Sequence, residues 1–301
     1  MKSVDPNEFT RRYEEAWSLT WSQESPEGAV EAFESLVRDF GSEQDGLSLI
    51  LGLGVSLFFA SEFDRAGANL QSALESLTRT QKYSDQYLGA GLYYMQYLTY
   101  IKKIKDALVL MAEVDETISR LGWSDLDPAI KVDVVFGKAV LLLSDRQHQA
   151  AIDIIRDLLQ NDEEEYFTPG HVHDLHFVCG NSLIGLGRYE EAVREYELVW
   201  PFRDLHRPKK YLELLVLKMR AHRMTQDYHG VLTLFSELSE KLEEDESSLW
   251  PEAFHHAGAA HYHLGDLDQA WEFLIRADRR GLEFPCFATS NKNLLAAINQ
   301  E

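Results

Sequence analysis

Two stretches of the sequence decide the fold: GNSLIGLGRYEEAVREYELVW, Gly180 to Trp200, and GAAHYHLGDLDQAWEFLIRA, Gly258 to Ala277. Laid over each other, they place similar residues at the same offsets. A third copy, GVSLFFASEFDRAGANLQSAL, begins at Gly54. In each copy a glycine is followed seven residues later by a second small residue, and five residues after that by an alanine. Chance rarely keeps such offsets in three copies, so the chain contains an internal repeat.

A weaker form of the pattern runs through the rest of the chain. An anchoring alanine, replaced by valine in one unit, recurs at intervals of 37 to 44 residues, which hold two helices of about 15 residues and two short turns. We place Gly187 where the chain reverses, because glycine tolerates positive φ. Gly180 and Ala192 are small because the two helices cross closely at that level. The seven anchors are Ala29, Ala66, Ala107, Ala151, Ala192, Val231 and Ala270.

The pattern predicts one continuous α-solenoid. No strand alternation competes with it, and no proline-rich or Gly/Ser-rich linker divides the chain. Stacking of successive helix pairs buries the apolar face that each pair alone leaves exposed. We therefore predict an all-α fold with a single domain, 1–301, of about seven helix–turn–helix repeats. The predicted repeats are 8–40, 47–78, 84–120, 128–161, 172–200, 207–243 and 249–280, with a C-terminal capping helix at 289–300.

The small–aromatic–alanine pattern resembles the tetratricopeptide repeat (TPR). The three copies above match it well, and the other four units keep only its apolar register, with Lys102 and Arg146 where a turn glycine is expected. The units are longer than the usual repeat of about 34 residues. Longer units of this kind resemble the peptide-receptor repeats of bacterial quorum sensing and of some eukaryotic scaffold proteins. The resemblance implies a right-handed solenoid whose concave groove binds a protein or peptide.

Composition narrows the class of partner. The formal net charge is −21, so we expect the chain to repel nucleic acid and anionic lipid, and we expect neither as a partner. There are two cysteines, Cys179 and Cys286, with no disulfide framework and no CxxC pair. The N-terminal MKSVDPNEF lacks the apolar core of a signal peptide, and no apolar run approaches the roughly 20 residues that cross a bilayer. We expect a cytoplasmic protein.

Positions that face the groove in TPR proteins lie at fixed offsets before the anchoring alanine. In the N-terminal repeats that implied geometry selects mainly aromatic side chains, and in the C-terminal repeats mainly cationic or titratable ones. The candidate partner-binding residues are Phe58, Phe59, Tyr93, Gln96, Tyr100, Asn181, Arg220, Arg223, His255, His256, Tyr262 and His263.

The basic run from Arg203 to Arg223 reverses the charge of the chain locally, with seven Lys or Arg residues against Asp204 and Glu213. We interpret it, with the aromatic positions, as a groove for a protein or peptide that has acidic groups and apolar anchors. The alternative is that Phe58, Phe59 and several tyrosines fill the core and that the basic run is a solvated helix face. The Lys and Asn residues of the family's chaperone-binding clamp are missing from the first three repeats, so we do not expect that clamp.

Histidines are clustered, and His173 and His176 could share a helix face with Asp174 or Asp266 nearby as a further metal ligand. Their spacing matches no zinc motif, and the chain has no GxSxG and no phosphate loop, so we expect no cofactor. The first functional hypothesis is a non-enzymatic, protein-binding scaffold or adaptor. The second is an intracellular receptor or regulator that changes curvature when a peptide signal binds. The third is a histidine-based, metal-dependent enzyme.

Overall fold

The computed structural model describes residues 6–21, 25–41, 46–161, 167–201, 208–241, 249–282 and 285–300. In these ranges the chain forms fifteen α-helices and a short 3-10 helix at Trp123–Asp125, with no strand. The helices are α1 Pro6–Trp21, α2 Pro26–Phe40, α3 Gly46–Phe59, α4 Phe63–Thr80, α5 Asp85–Tyr100, α6 Ile104–Leu121, α7 Pro128–Ser144, α8 His148–Asn161, α9 Pro169–Gly185, α10 Tyr189–Val199, α11 Pro208–Met224, α12 Tyr228–Lys241, α13 Leu249–Leu264, α14 Leu267–Arg280 and α15 Pro285–Ile298.

The helices α1 to α14 form seven consecutive pairs, and α15 follows as the C-terminal helix. The predicted all-α fold of about seven helix pairs with a capping helix is therefore confirmed. The ends of the predicted repeat 207–243 lie outside the described residues. The chain forms two compact units, Met1–Phe167 with α1 to α8 and Thr168–Glu301 with α9 to α15, called here the N-terminal and C-terminal units. The single continuous domain stays a prediction.

The seven anchors are the most regular feature of the pairs. Each lies in the first turn of the second helix of its pair and is 0% exposed, as the spacing predicted. The backbone N–H of each anchor donates to the carbonyl oxygen four residues earlier, at 2.9–3.2 Å, so the same hydrogen bond starts every second helix. Six of the seven fully buried anchors are alanines, and the seventh, Val231, is the next larger aliphatic residue.

The turn between the two helices of a pair is also repeated. In six pairs the residue five before the anchor has a left-handed backbone, with φ between 63° and 84°. The next residue donates its N–H to a carbonyl five residues earlier at 2.8–3.0 Å, the pattern of a Schellman helix end. Two of the six residues are glycines, as predicted for Gly187, and the others are not; they are Ser61, Lys102, Arg146, Gly187, Gln226 and Gly265.

Three glycines let the helices of a pair approach closely. A Cβ atom on Gly54 would lie 3.0 Å from Leu70 Cγ, and one on Gly258 would lie 2.8 Å from Leu274 Cγ. On Gly180 it would lie 2.6 Å from Cε1 of Tyr196. All three partners occupy the same offset after their anchor, so the aligned glycines of the sequence mark one recurring helix crossing.

Candidate functional site

Three candidate residues of the N-terminal unit, Phe58, Phe59 and Tyr100, form an aromatic cluster with Phe63 at the α3–α4 and α5–α6 turns. The rings of Phe63 and Tyr100 are stacked with centroids 4.4 Å apart, and Phe58 packs edge-on to Tyr100 at 5.8 Å and to Phe59 at 5.6 Å. Phe58, Phe59 and Phe63 are half-buried, whereas Tyr100 is 52% exposed. The cluster therefore presents the Tyr100 ring on a rigid aromatic support.

Tyr93 and Gln96 lie on the same helix, α5, but they face α7. Burial raises the pKa of the Tyr93 phenol, and the negative charge of Asp133 on α7 raises it further. The Gln96 amide lies near Gly137 of α7, where a Cβ atom would be 3.4 Å from Gln96 Nε2. Both side chains are half-buried between helices. Their surroundings fit a packing role at the α5–α7 contact better than a surface role.

Asn181 belongs to the packing of the first pair in the C-terminal unit. Its Oδ1 accepts a hydrogen bond of 2.6 Å from the phenol of Tyr196, which joins α9 to α10. Burial raises the pKa of Tyr196 well above its ordinary value, so the phenol remains a donor at neutral pH. Asn181 thus already has a partner inside the unit.

The C-terminal unit contains a polar cluster between α11, α13 and α15, called here the Arg–His cluster. It consists of Arg220 and Arg223 from α11, of Glu252, His255 and His256 from α13, and of Phe287 and Asn291 from α15. Four of the predicted residues meet in it: Arg220, Arg223, His255 and His256.

Arg220 is held by Glu252. Its Nε donates to Glu252 Oε1 at 2.9 Å, and its Nη2 donates to the same oxygen. The Glu252 side chain is 3% exposed, and burial raises its pKa although Arg220 opposes that change. His256 Nε2 lies 3.1 Å from Glu252 Oε1, so this carboxylate receives hydrogen bonds from α11 and from its own helix.

Arg223 is the charge in the cluster without a carboxylate partner among the described residues. Its Nη2 contacts Met224 Sδ at 3.9 Å, and its guanidinium lies 5.8 Å from the centre of the Phe287 ring. Its Nε is buried without a hydrogen-bond acceptor in the described structure. Burial and then the charge of Arg220 lower the pKa of Arg223. The cluster therefore contains two guanidinium groups, Arg220 and Arg223, and one carboxylate, Glu252, so it carries excess positive charge.

The two histidines of the cluster do not add to that charge. Both are 0% exposed. Burial, His256 and Arg223 lower the pKa of His255 to about 3, and burial followed by the two arginines holds that of His256 well below its usual range. Neutral His255 donates through Nδ1 to Asn291 Oδ1 at 3.2 Å. Both imidazoles are therefore neutral, and the positive charge of the cluster comes from the two arginines.

Tyr262 and His263 lie near the other end of α13. The His263 ring stacks on Tyr228 of α12 with centroids 4.6 Å apart, and Tyr262 packs edge-on to His263 at 5.5 Å. His263 is exposed and Tyr262 is half-buried. The structure thus divides the predicted C-terminal candidates into Asn181 in a helix contact, the Arg–His cluster and this ring stack.

The basic run is only partly described: Arg203, Arg207 and the side chains of Lys209 and Lys210 lie outside the described residues. Lys218 is 4% exposed, binds Glu197 at 2.8 Å and lies 3.8 Å from the centre of the Trp200 ring. Its charge is therefore compensated inside the unit.

The histidines near the start of α9 have carboxylate neighbours. His173 Nδ1 lies 3.0 Å from Asp174, and His176 Nδ1 lies 2.7 Å from Glu195. In the described ranges no group of three or more His, Cys, Asp or Glu side chains is placed to hold a metal ion. Nor does any helix in these ranges have the length and apolar character to span a membrane.

Sequence reasoning missed Glu252, Phe63, Phe287 and Asn291. Glu252 precedes His256 by one helical turn, and Phe287 precedes Asn291 in the same way, so helical spacing alone links the members of each pair. The sequence predicts a capping helix but does not show which of its residues meet α11 and α13, and this contact brings Phe287 onto both arginines.

The sequence matches no protein-family model and no curated protein. Solved structures do match. The quorum sensor NprR from B. thuringiensis, in its apo form, is 13% identical, with a TM-score of 0.68 over 98% of this chain and 82% of that one. The apo form of RapI is 12% identical, with a TM-score of 0.62 over 97% and 82%. A tetratricopeptide repeat protein from Parabacteroides merdae is 12% identical, with a TM-score of 0.53 over 97% and 99%. The chain therefore has a TPR-like α-solenoid fold.

Proposed function

We propose that the chain is a non-enzymatic scaffold that binds a protein or peptide with a carboxylate or phosphate group, and that the Arg–His cluster receives this group. The observation that carries the proposal is Arg223, a largely buried guanidinium with no carboxylate partner among the described residues and an unpaired Nε. A buried cation without a counter-charge is costly, and a fold retains such a group most readily where a ligand supplies the charge.

The surroundings of Arg223 suit that task. Glu252 and the face of Phe287 fix the guanidinium of Arg220, and Phe287 also lies against Arg223. Because Arg220 is already oriented, an oxyanion that binds it orders little further structure. Arginine binds carboxylate and phosphate with charge-assisted, two-pronged hydrogen bonds. The acidic rest of the chain would keep other anions away and restrict binding to partners that reach this cluster.

A second candidate function is a receptor whose conformation changes when a signal peptide binds. The likeness to NprR supports it, since that protein is a quorum sensor. A receptor would change its hydrogen-exchange pattern beyond the binding residues when the peptide binds, whereas a rigid scaffold would be protected only at the contact.

As a third candidate, a histidine-based metal enzyme would retain stoichiometric metal after purification. For each of these functions we infer a cytoplasmic setting from the cysteine usage.

The test uses the partner captured from the native host and identified by mass spectrometry. Arg223→Met removes the buried charge and keeps an apolar side chain, so it should fold at least as well as the wild type. We expect its affinity for the partner to fall by about tenfold or more. The matched control is Arg279→Met on the exposed side of α14, which should bind as the wild type does. Unchanged affinity in Arg223→Met would contradict the proposed site.

A further inference from the structure

We propose that the α3–α4 and α5–α6 turns of the N-terminal unit form a docking surface for an acidic protein segment with an aromatic or large apolar anchor. The surface, called here the aromatic–lysine edge, consists of the aromatic cluster together with Lys102, Lys103 and Lys105. This proposal rests on the proposed function only because it requires the chain to bind a protein segment. The aromatic–lysine edge shares no residue with the Arg–His cluster.

The apolar half of the edge has an exposed aromatic ring on which an apolar side chain of a partner can pack. Tyr100 is 52% exposed, although its ring is stacked on Phe63 and supported by Phe58. The stack limits rotation of the tyrosine, so little side-chain freedom remains to be lost when a partner packs on it. Exposed tyrosines on rigid supports are typical anchors of protein interfaces.

The charged half of the edge consists of lysines that form no ion pair within the described residues. Lys102, Lys103 and Lys105 directly follow the aromatic cluster and are exposed, and none of them contacts a carboxylate within ion-pair distance among the described residues. Neighbouring Arg65, in contrast, binds Glu34 and Glu62. Asp64 and Asp106 are exposed acidic residues close to the edge in sequence, and neither forms an ion pair with these lysines in the described structure. On a chain with a net charge of −21, three lysines within four residues, none of them ion-paired in the described part of the chain, form a local positive region.

The left-handed backbone at Lys102 allows a variant that removes charge without straining the turn. Lys102 has φ 64° at the turn position where Gly187 and Gly265 stand in the C-terminal unit, and Ser61, Arg146 and Gln226 share this backbone conformation. A non-glycine residue there costs about 1 kcal/mol or more. Glycine at position 102 therefore removes a lysine charge and relieves the turn at the same time.

Charge favours a short acidic protein segment over the other anionic partners. A nucleic acid or an anionic membrane would bring many negative charges against the whole acidic chain. A short segment brings few charges, and its repulsion by the distant carboxylates is screened over about 10 Å at ordinary salt. The exposed ring next to the lysines adds a requirement for an apolar anchor, which distinguishes this surface from simple charge attraction.

Three short fluorescent peptides of equal length test the proposal by fluorescence anisotropy. The first alternates glutamate with phenylalanine, the second replaces glutamate with lysine, and the third replaces phenylalanine with alanine. We expect the first to bind the full chain at least about tenfold more tightly than either of the others. We expect Tyr100→Ala and the double variant Lys102→Gly/Lys103→Ala each to reduce that affinity about tenfold.

The variants separate binding from folding. Lys102→Gly relieves the left-handed backbone, so the double variant should keep the thermal stability of the wild type while it loses affinity. Arg146→Gly makes the same change at the corresponding α7–α8 turn and should bind the first peptide normally. Equal binding of the three peptides, or an unchanged affinity of the double variant, would overturn the inference.

Vesicles of phosphatidylserine and phosphatidylcholine give a further outcome. If they bind the wild type and not the double variant, while the peptides do not bind, the edge is a membrane surface and the inference is wrong. Loss of the captured partner by Arg223→Met, together with failure of the peptides, would leave the proposed function standing and remove this inference alone.

Discussion

The ring of Tyr196 closes over Gly180: a Cβ atom on Gly180 would lie 2.6 Å from Cε1 of the ring, whose phenol donates to Asn181 Oδ1 at 2.6 Å. The ring is thus fixed by a hydrogen bond at the point where it would have to move. We expect Gly180→Ala to destabilise the protein by about 1–3 kcal/mol, because overpacking a close crossing forces the helices apart. Thermal unfolding measures the effect.

Gly89 supplies the matched control for that substitution. It also lies within a helix, α5, but nothing stands within 4 Å of the position that a Cβ atom would occupy. Gly89→Ala should raise stability by about 0.5–1 kcal/mol, since alanine restricts the unfolded chain and fits a helix better. A loss of stability in Gly89→Ala as large as that in Gly180→Ala would contradict this explanation, because the close helix crossing would then not distinguish the two positions.

At the turns between the helices of a pair, we expect introduction of glycine to increase stability. Arg146 and Gln226 both have φ 63°, so glycine at either position should stabilise the fold by about 0.5–1 kcal/mol, the difference between the left-handed strain and the added entropy of the unfolded chain. Gly265→Ala, at the same turn position with φ 84° and no neighbour within 4 Å, should destabilise by a similar amount. Urea unfolding midpoints measure all three. A loss of stability in both glycine variants would contradict the assignment of strain.

The ion pair of the Arg–His cluster should be far more important for folding than a surface pair. We expect Glu252→Gln to cost about 3 kcal/mol, because two guanidinium groups would then lack a counter-charge. In the exposed pair of Glu116 and Arg120 the side chains are 47% and 57% accessible, and Glu116→Gln should leave the unfolding temperature close to that of the wild type. Comparable unfolding temperatures for the two variants would refute the buried pair as a determinant of stability.

Stability should fall in mild acid because of His255. Its pKa is lowered in the folded state from 6.5 to about 3, mainly by burial and then by His256 and Arg223. Between these two pH values His255 is therefore protonated in the unfolded chain and neutral in the folded chain. The contribution of His255 to this loss begins as pH falls through 6.5, continues to about 3, and amounts to about 1.4 kcal/mol per pH unit. His256, whose pKa burial also holds well below its usual range, adds to the loss in the same direction. His255→Gln should show a shallower decline in urea unfolding between these limits. Parallel curves for the variant and the wild type would exclude His255 as the source.

The sequence predicted the features that depend on spacing within one helix pair. The small residue at each anchor and the glycines beside Tyr196 and Leu274 follow from helices that must approach at a fixed level. It could not predict the protonation of His255, which depends on α15 covering it, nor the partner of Arg220, which lies on the next repeat. Contacts between repeats depend on how whole helices pack against each other, and the spacing of residues along the sequence does not predict that packing.

The left-handed turn residues have a consequence for how such a chain is recognised at all. Four of the six turns keep the same backbone hydrogen bonds with serine, lysine, arginine or glutamine in place of glycine. The repeat is therefore specified by main-chain geometry. Replacement of the turn glycine by another residue costs about 1 kcal/mol of stability at each turn, which the fold tolerates. A search that scores residue identity loses the signal at those turns, while a comparison of coordinates still detects it. A chain of this kind matches solved helical-repeat structures and no family model.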